Sequence, residues 1–170
     1  MDTTSAAISG TTTELNVPTL ILGCGNLLHA DDGAGLQLLR RLTLELDPTH
    51  ACCVDAGAVE FDAFRYVESA TAMLVVGAAN LHAAPGTIAL FEGDDMDAFL
   101  SGFRRRSGHE LGLANLMDVA RLLRRMPPRR ALLGIQPGYR ARSSALSAAV
   151  DAALPAALTQ AKDLLRRWQA

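Results

Sequence analysis

LILGCGNLLHADDGAG, residues Leu20–Gly35, is the stretch that decides the fold. Its first residues close a short apolar run, Val17–Gly23, that stops at glycines. A continuous apolar segment of this length, halted by Gly23 and Gly25, is the pattern of a strand buried in a parallel sheet. Beyond the turn, Leu36, Leu39, Leu42 and Leu46 recur at helical spacing over Gly33–Leu46, and Asp31 or Asp32 is a ready N-cap.

The alternation continues outward from this segment. Ala51–Val54 reads as a second strand ending at Asp55-Ala56-Gly57, followed by a helix over Val59–Val67 through Phe61, Phe64 and Val67. Ala72–Gly77 is a third strand, and Thr87–Phe91 a fourth that starts from the Pro85-Gly86 turn. The spacing of Leu113, Leu116, Val119 and Leu123 predicts a helix over Glu110–Met126. Ala131–Ile135 is a fifth strand, and Ser143–Trp168 a long alanine-rich closing helix interrupted by Pro155. The order predicts an α/β three-layer sandwich: an open, mostly parallel (mixed) five-stranded sheet flanked by helices on both faces. Residues 1–16 read as a flexible polar arm and 17–170 as a single domain. The arm lacks the basic and apolar blocks of a secretory signal.

Composition narrows the function classes. With 49% apolar residues in 170, one core forms without metal or disulfide staples. The three cysteines, Cys24, Cys52 and Cys53, are odd in number and fall in or beside strand-like segments, which predicts reduced thiols and a cytoplasmic setting. The longest apolar runs, such as Thr19–Leu22 and Met73–Ala79, fall well short of the about 20 residues that span a bilayer, so no membrane partner is expected. Sixteen basic against eighteen acidic residues leave a formal charge of −2, which argues against a nucleic-acid partner. The run Arg104-Arg105-Arg106 ahead of His109 reads as a solvated charge cluster that can also steer an acidic partner.

Ligands of open α/β sheets bind outside the carboxyl ends of the strands. The polar residues there are Asn26, His29, Asp31, Asp32, Asp55, Asn80, His82, Gln136 and Tyr139, with His109 ahead of a helix. The first loop does not suit a dinucleotide: the third glycine of G-x-G-x-x-G falls at Leu28, and two carboxylates stand where a pyrophosphate would lie. Paired aspartates suit a cation or acid–base work, one capping the helix while the other points across the strand ends.

LILGCGNLLHADDGAG closely resembles the opening motif of the nickel–iron hydrogenase maturation endopeptidases. The likeness continues through VDAGAVE (Val54–Glu60), APGT (Ala84–Thr87), GHELGLANLM (Gly108–Met117) and LLGIQPGYR (Leu132–Arg140), in the family's order and spacing. The resemblance implies an endopeptidase that trims the C-terminal extension of a nickel–iron hydrogenase large-subunit precursor, reading nickel held in that substrate rather than a metal of its own. The alternative is a relative that binds the precursor without cutting it.

The family's metal contacts map onto Asp32 and His109, which the resemblance makes the catalytic and metal-facing residues. The family's middle aspartate falls on Gly77, which has no side chain to offer. His29 and His82 are the candidates to compensate for it. Asn26, Asp55 and Gly57 fall in segments tied to substrate binding, although Asp55-Ala56-Gly57-Ala58 lacks the threonine of the family's Asp-Gly-Gly-Thr. The resemblance implies no serine or cysteine nucleophile, and a monomer or weak dimer.

Overall fold

Leu20, Ile21 and Leu22 are wholly buried because the strand that carries them, β1 (Val17–Gly23), lies inside a sheet. The computed structural model describes residues 17–57, 63–103 and 111–170. The predicted arm (1–16), the start of the helix predicted at Val59, and His109 lie outside them. After β1 come a 3-10 turn (Ala30–Gly33), α1 (Ala34–Glu45), β2 (Cys52–Asp55), α2 (Ala63–Ser69), β3 (Ala70–Ala78) and β4 (Ile88–Glu92). Then follow α3 (Asp94–Phe103), α4 (Leu111–Leu122), β5 (Arg129–Ile135) and α5 (Ala148–Gln169).

The five strands form one sheet in the order β2-β1-β3-β5-β4, parallel except for β4, which runs antiparallel to β5. Side chains alternate across it. Ile21, Leu74, Val76, Leu133 and Ile135 pack with α1 and α5, while Leu20, Leu22, Met73, Val75 and Leu132 pack with α2, α3 and α4. The expected mixed sheet with helices on both faces is what forms. The chain leaves β1 toward β2 on one side and leaves β3 toward β4 and β5 on the other, so the carboxyl ends of β1 and β3 frame a topological switch point.

Four features differ from the sequence reading. The sequence reading names no element between Phe91 and Glu110, and α3 fills Asp94–Phe103. Its acidic first turn (Asp94, Asp95, Asp97) favours the helix N-terminus. A segment of ten residues is marginal alone, and burial of Met96 and Leu100 against the sheet supplies the stability.

Second, α4 ends at Leu122 rather than Met126. Arg124 turns left-handed (φ 55°), and Arg125 N–H donates to Ala120 O at 2.7 Å while Arg124 N–H donates to Arg121 O at 3.1 Å, a Schellman stop ahead of two prolines.

Third, α5 begins at Ala148 rather than Ser143, because the residues before it pair with the β1–α1 loop. Fourth, Pro155 does not interrupt α5. It sits on the solvent face, and its carbonyl accepts the Thr159 hydroxyl at 3.1 Å. Among the described residues no helix is long and apolar enough to cross a membrane.

Candidate functional site

Gly25 starts the first loop at φ +123°, and a Cβ there would stand 1.8 Å from the Asp32 carbonyl oxygen. Only glycine lets the loop fold back so that Asn26 N–H donates to Asp32 O at 3.2 Å. The two neighbouring aspartates are thereby sent to different tasks.

Asp31 is wholly buried. Its Oδ2 accepts hydrogen bonds from Gly138 N–H, Tyr139 N–H and the Ser147 hydroxyl, each at 2.8 Å, and its Oδ1 accepts Ser147 N–H at 2.6 Å. Burial pushes its pKa up, but the bonds from Ser147, Gly138 and Tyr139 outweigh burial and hold it below the ordinary 3.8. Neither aspartate is the expected cap of α1: Gly33 occupies that position and makes no side-chain cap bond. The reason is distance in sequence. The donors for Asp31 lie 107 to 116 residues downstream, and they satisfy it more fully than the adjacent helix end can.

Asp32 is half-buried, and among the described residues its carboxylate accepts no hydrogen bond. It is the uncommitted acceptor of the pair, available to a metal ion or a proton. Cys24, at the end of β1, donates its N–H to Val76 O at 2.9 Å, which ties the ends of β1 and β3 together. Its thiol is pushed up to about 12, first by burial and then by the negative charges of Asp55 and Asp32. It stays protonated near neutral pH and is a packing group rather than a nucleophile.

Gly77 follows Val75 by two residues on β3, so position 77 faces the α4 side of the sheet, as Cys24 does. A Cβ at Gly77 would meet Cys24 Cβ at 3.3 Å, a contact that a shift of a few tenths of an ångström relieves. The residue that precedes α4 in the motif, His109, lies outside the described residues.

The remaining candidates divide. Asp55 stands opposite Gly23 in the β1–β2 register, and its Oδ1 accepts Gly57 N–H at 2.9 Å. A Cβ on Gly57 would come within 3.0 Å of Gly25 O, so the second loop packs on the first. Asn26 Oδ1 accepts Leu28 N–H, a local turn. His29 is exposed and makes a bridge to Ser143, while His82 is exposed at φ 53° with its N–H on Asn80 Oδ1 at 3.1 Å.

Gln136 Oε1 accepts Leu81 N–H at 2.6 Å and Ala83 N–H at 3.4 Å, so it organises the β3–β4 loop. Tyr139 contributes its main chain to Asp31 while its side chain is exposed. Gly138 also packs on Pro85, where a Cβ would fall 2.9 Å away, bringing the APGT and QPGYR segments together. Ser147 was absent from the candidates. No local pattern marks it, since its partner lies 116 residues away. No group of three or more His, Cys, Asp or Glu among the described residues is placed to hold a metal ion.

Against known proteins, a family model described as hydrogenase maturation protease matches residues 37–163. The hydrogenase expression/formation protein HupD of Rhodobacter capsulatus is 30% identical over 151 residues, covering 88% of this chain and 71% of that protein. HoxM of Cupriavidus necator, of the same description, is 30% identical over 149 residues, covering 86% and 73%. The solved structure of the hydrogenase maturating endopeptidase HybD from E. coli superposes with a TM-score of 0.77 at 23% identity, over 89% of this chain and 93% of that one. This last likeness bears on the fold.

Proposed function

Because the chain belongs to the hydrogenase maturation protease family, we propose that it is an endopeptidase removing the C-terminal extension of a nickel–iron hydrogenase large-subunit precursor after nickel insertion. The observation that carries this reading is the division of labour at Asp31-Asp32. A buried carboxylate locks the loop, and the next one, at the switch point of the sheet, has no partner among the described residues. In this reading Asp32, with His109 from the segment leading to α4, meets the nickel that the substrate carries. Carboxylate oxygen and imidazole nitrogen are both suitable donors to that ion. Asn26, Asp55 and Gly57 line the adjacent loops where the precursor's chain enters. The metal in the substrate polarises the scissile carbonyl, water attacks, and selectivity follows because an unloaded precursor offers no such group.

Gly77 favours a second reading, in which the chain docks on the precursor without cutting it, since this position gives the nickel no donor. Its strand parity puts an introduced side chain on the α4 side, so Gly77→Asp is a fair probe: in the protease reading it strengthens nickel-dependent cleavage or nickel contact. The free cysteines suit a reducing compartment, which fits action in the cytoplasm.

The deciding experiment incubates the protein with nickel-loaded and with nickel-free precursor and weighs the products. Loss of a C-terminal peptide from the loaded form alone supports the protease. A stable complex with an unshortened precursor supports the docking reading and overturns the first.

A further inference from the structure

We infer that Asp31 is a positioning residue for the cleavage reaction: it fixes the main chain that aims Asp32 and joins it to the exposed turn after β5. This rests on the protease reading above. The geometry is a buried carboxylate that, among the described residues, is bound by neutral donors from one distant segment, Gly138–Ser147. Main-chain bonds run alongside it. Ala30 N–H donates to Ser143 O at 2.6 Å, Ser143 N–H to Leu28 O at 3.0 Å, and Asp31 N–H to Tyr139 O at 3.0 Å.

Together these hold Ala30 at φ 47°, a conformation that a non-glycine residue keeps only when its surroundings impose it. Asp32 comes next, its N–H on His29 O at 3.1 Å and its carbonyl on Asn26 N–H. The backbone around Asp32 is therefore fixed, while its carboxylate has no hydrogen-bond partner among the described residues. Leu28 and Tyr139, 60% and 53% exposed, stand on the two segments so joined. A substrate chain pressing on this rim cannot move one side of it relative to Asp32.

A group that served stability alone would, when changed, lower the folded fraction and nothing else. Asp31→Asn keeps the size but turns one acceptor into a donor facing N–H groups. Under conditions where circular dichroism shows the variant folded, kcat on nickel-loaded precursor should fall by about tenfold or more, with KM altered less than about twofold. In the free protein, amide hydrogen exchange at residues 30–32 and 138–139 should accelerate by at least about tenfold while β1 and β3 amides keep their rates. Ser147→Ala removes one donor of the four and should show the same pattern more weakly, which covers the case of an Asp31 variant that does not fold.

A folded Asp31→Asn with the original kcat, or exchange that rises evenly across the sheet, overturns the inference. Should the unaltered protein leave every precursor uncut, the protease reading fails. The exchange pattern then still decides whether Asp31 governs the Asp32 backbone.

Discussion

The two ends of the sheet handle charge in opposite ways. At the amino end of the parallel strands, ion pairs join side chains that stay in part open to water, Arg130 and Asp97 the least so. Arg130 at the start of β5 grips Asp97 of α3 (Nη2–Oδ2 2.7 Å, Nε–Oδ1 3.1 Å), Arg167 meets Glu92 at 2.7 Å, and Lys162 pairs with Glu45. At the carboxyl end, a wholly buried carboxylate is held by main-chain N–H groups and a hydroxyl, with no cation among its partners in the described residues. Exposed pairs gain little, because water solvates the separated charges nearly as well. A buried carboxylate loses all compensation if its donors leave, so it holds its partners to one arrangement. Rigidity is thus concentrated in the loop that carries Asp32, and the other end tolerates change.

Substitutions at each end test this contrast. The largest effect is expected in chemistry: Asp32→Ala should lower processing of nickel-loaded precursor by at least about 100-fold, ~2.7 kcal/mol of barrier. Its melting temperature should stay close to that of the unaltered protein, since its carboxylate anchors nothing described. A large drop in melting temperature would erase the distinction between the two aspartates.

Asp31→Asn should cost about 2–3 kcal/mol of stability in urea unfolding, the range for a buried acceptor set against unsatisfied donors. A loss no larger than that of a surface pair would break the comparison of the two ends.

The acid limb offers a third test. The folded-state pKa of Asp31 lies below the unfolded value near 3.8. Its contribution is therefore fully present above about pH 5 and is lost as the pH falls through the folded-state value. Stability measured from pH 6 downward should decline less steeply in Asp31→Asn.

At the amino end, Arg130→Met should cost only about 1 kcal/mol, and less in 1 M than in 0.1 M salt. Smallest of all, Lys162→Ala should stay within about 0.5 kcal/mol of the parent protein. A salt-independent cost above that of Asp31→Asn for either would reverse the assignment of rigid and tolerant ends.

Much of this protein is legible in its sequence. Val17–Gly23 announced a buried parallel strand because its apolar run is continuous. The Pro85-Gly86 turn was readable because Gly86 must take φ +83° there. Gly25 marked a backbone fold-back that no other residue allows. Helix α3 escaped because a ten-residue helix that contains Gly102 gives a weak periodic signal, and its two buried anchors, Met96 and Leu100, matter only against the sheet. Strand β4 was foreseen as a strand, and its antiparallel direction follows from the connection between Ala78 and Ile88, which holds no crossover helix and so starts β4 at the carboxyl end of the sheet.

By itself, the sequence determined the alternation of elements, the glycine positions and the motifs that tie the chain to its family, all of which rest on neighbours within a few residues. It also placed Asp31 and Asp32 side by side, equally able to cap a helix or meet a cation. Only the tertiary structure decided between them. The donors that claim Asp31 come from Gly138, Tyr139 and Ser147, more than a hundred residues away, and chain folding alone brings them within 2.8 Å. A carboxylate takes the role that satisfies it best when buried, and local spacing carries no record of which distant N–H groups will arrive.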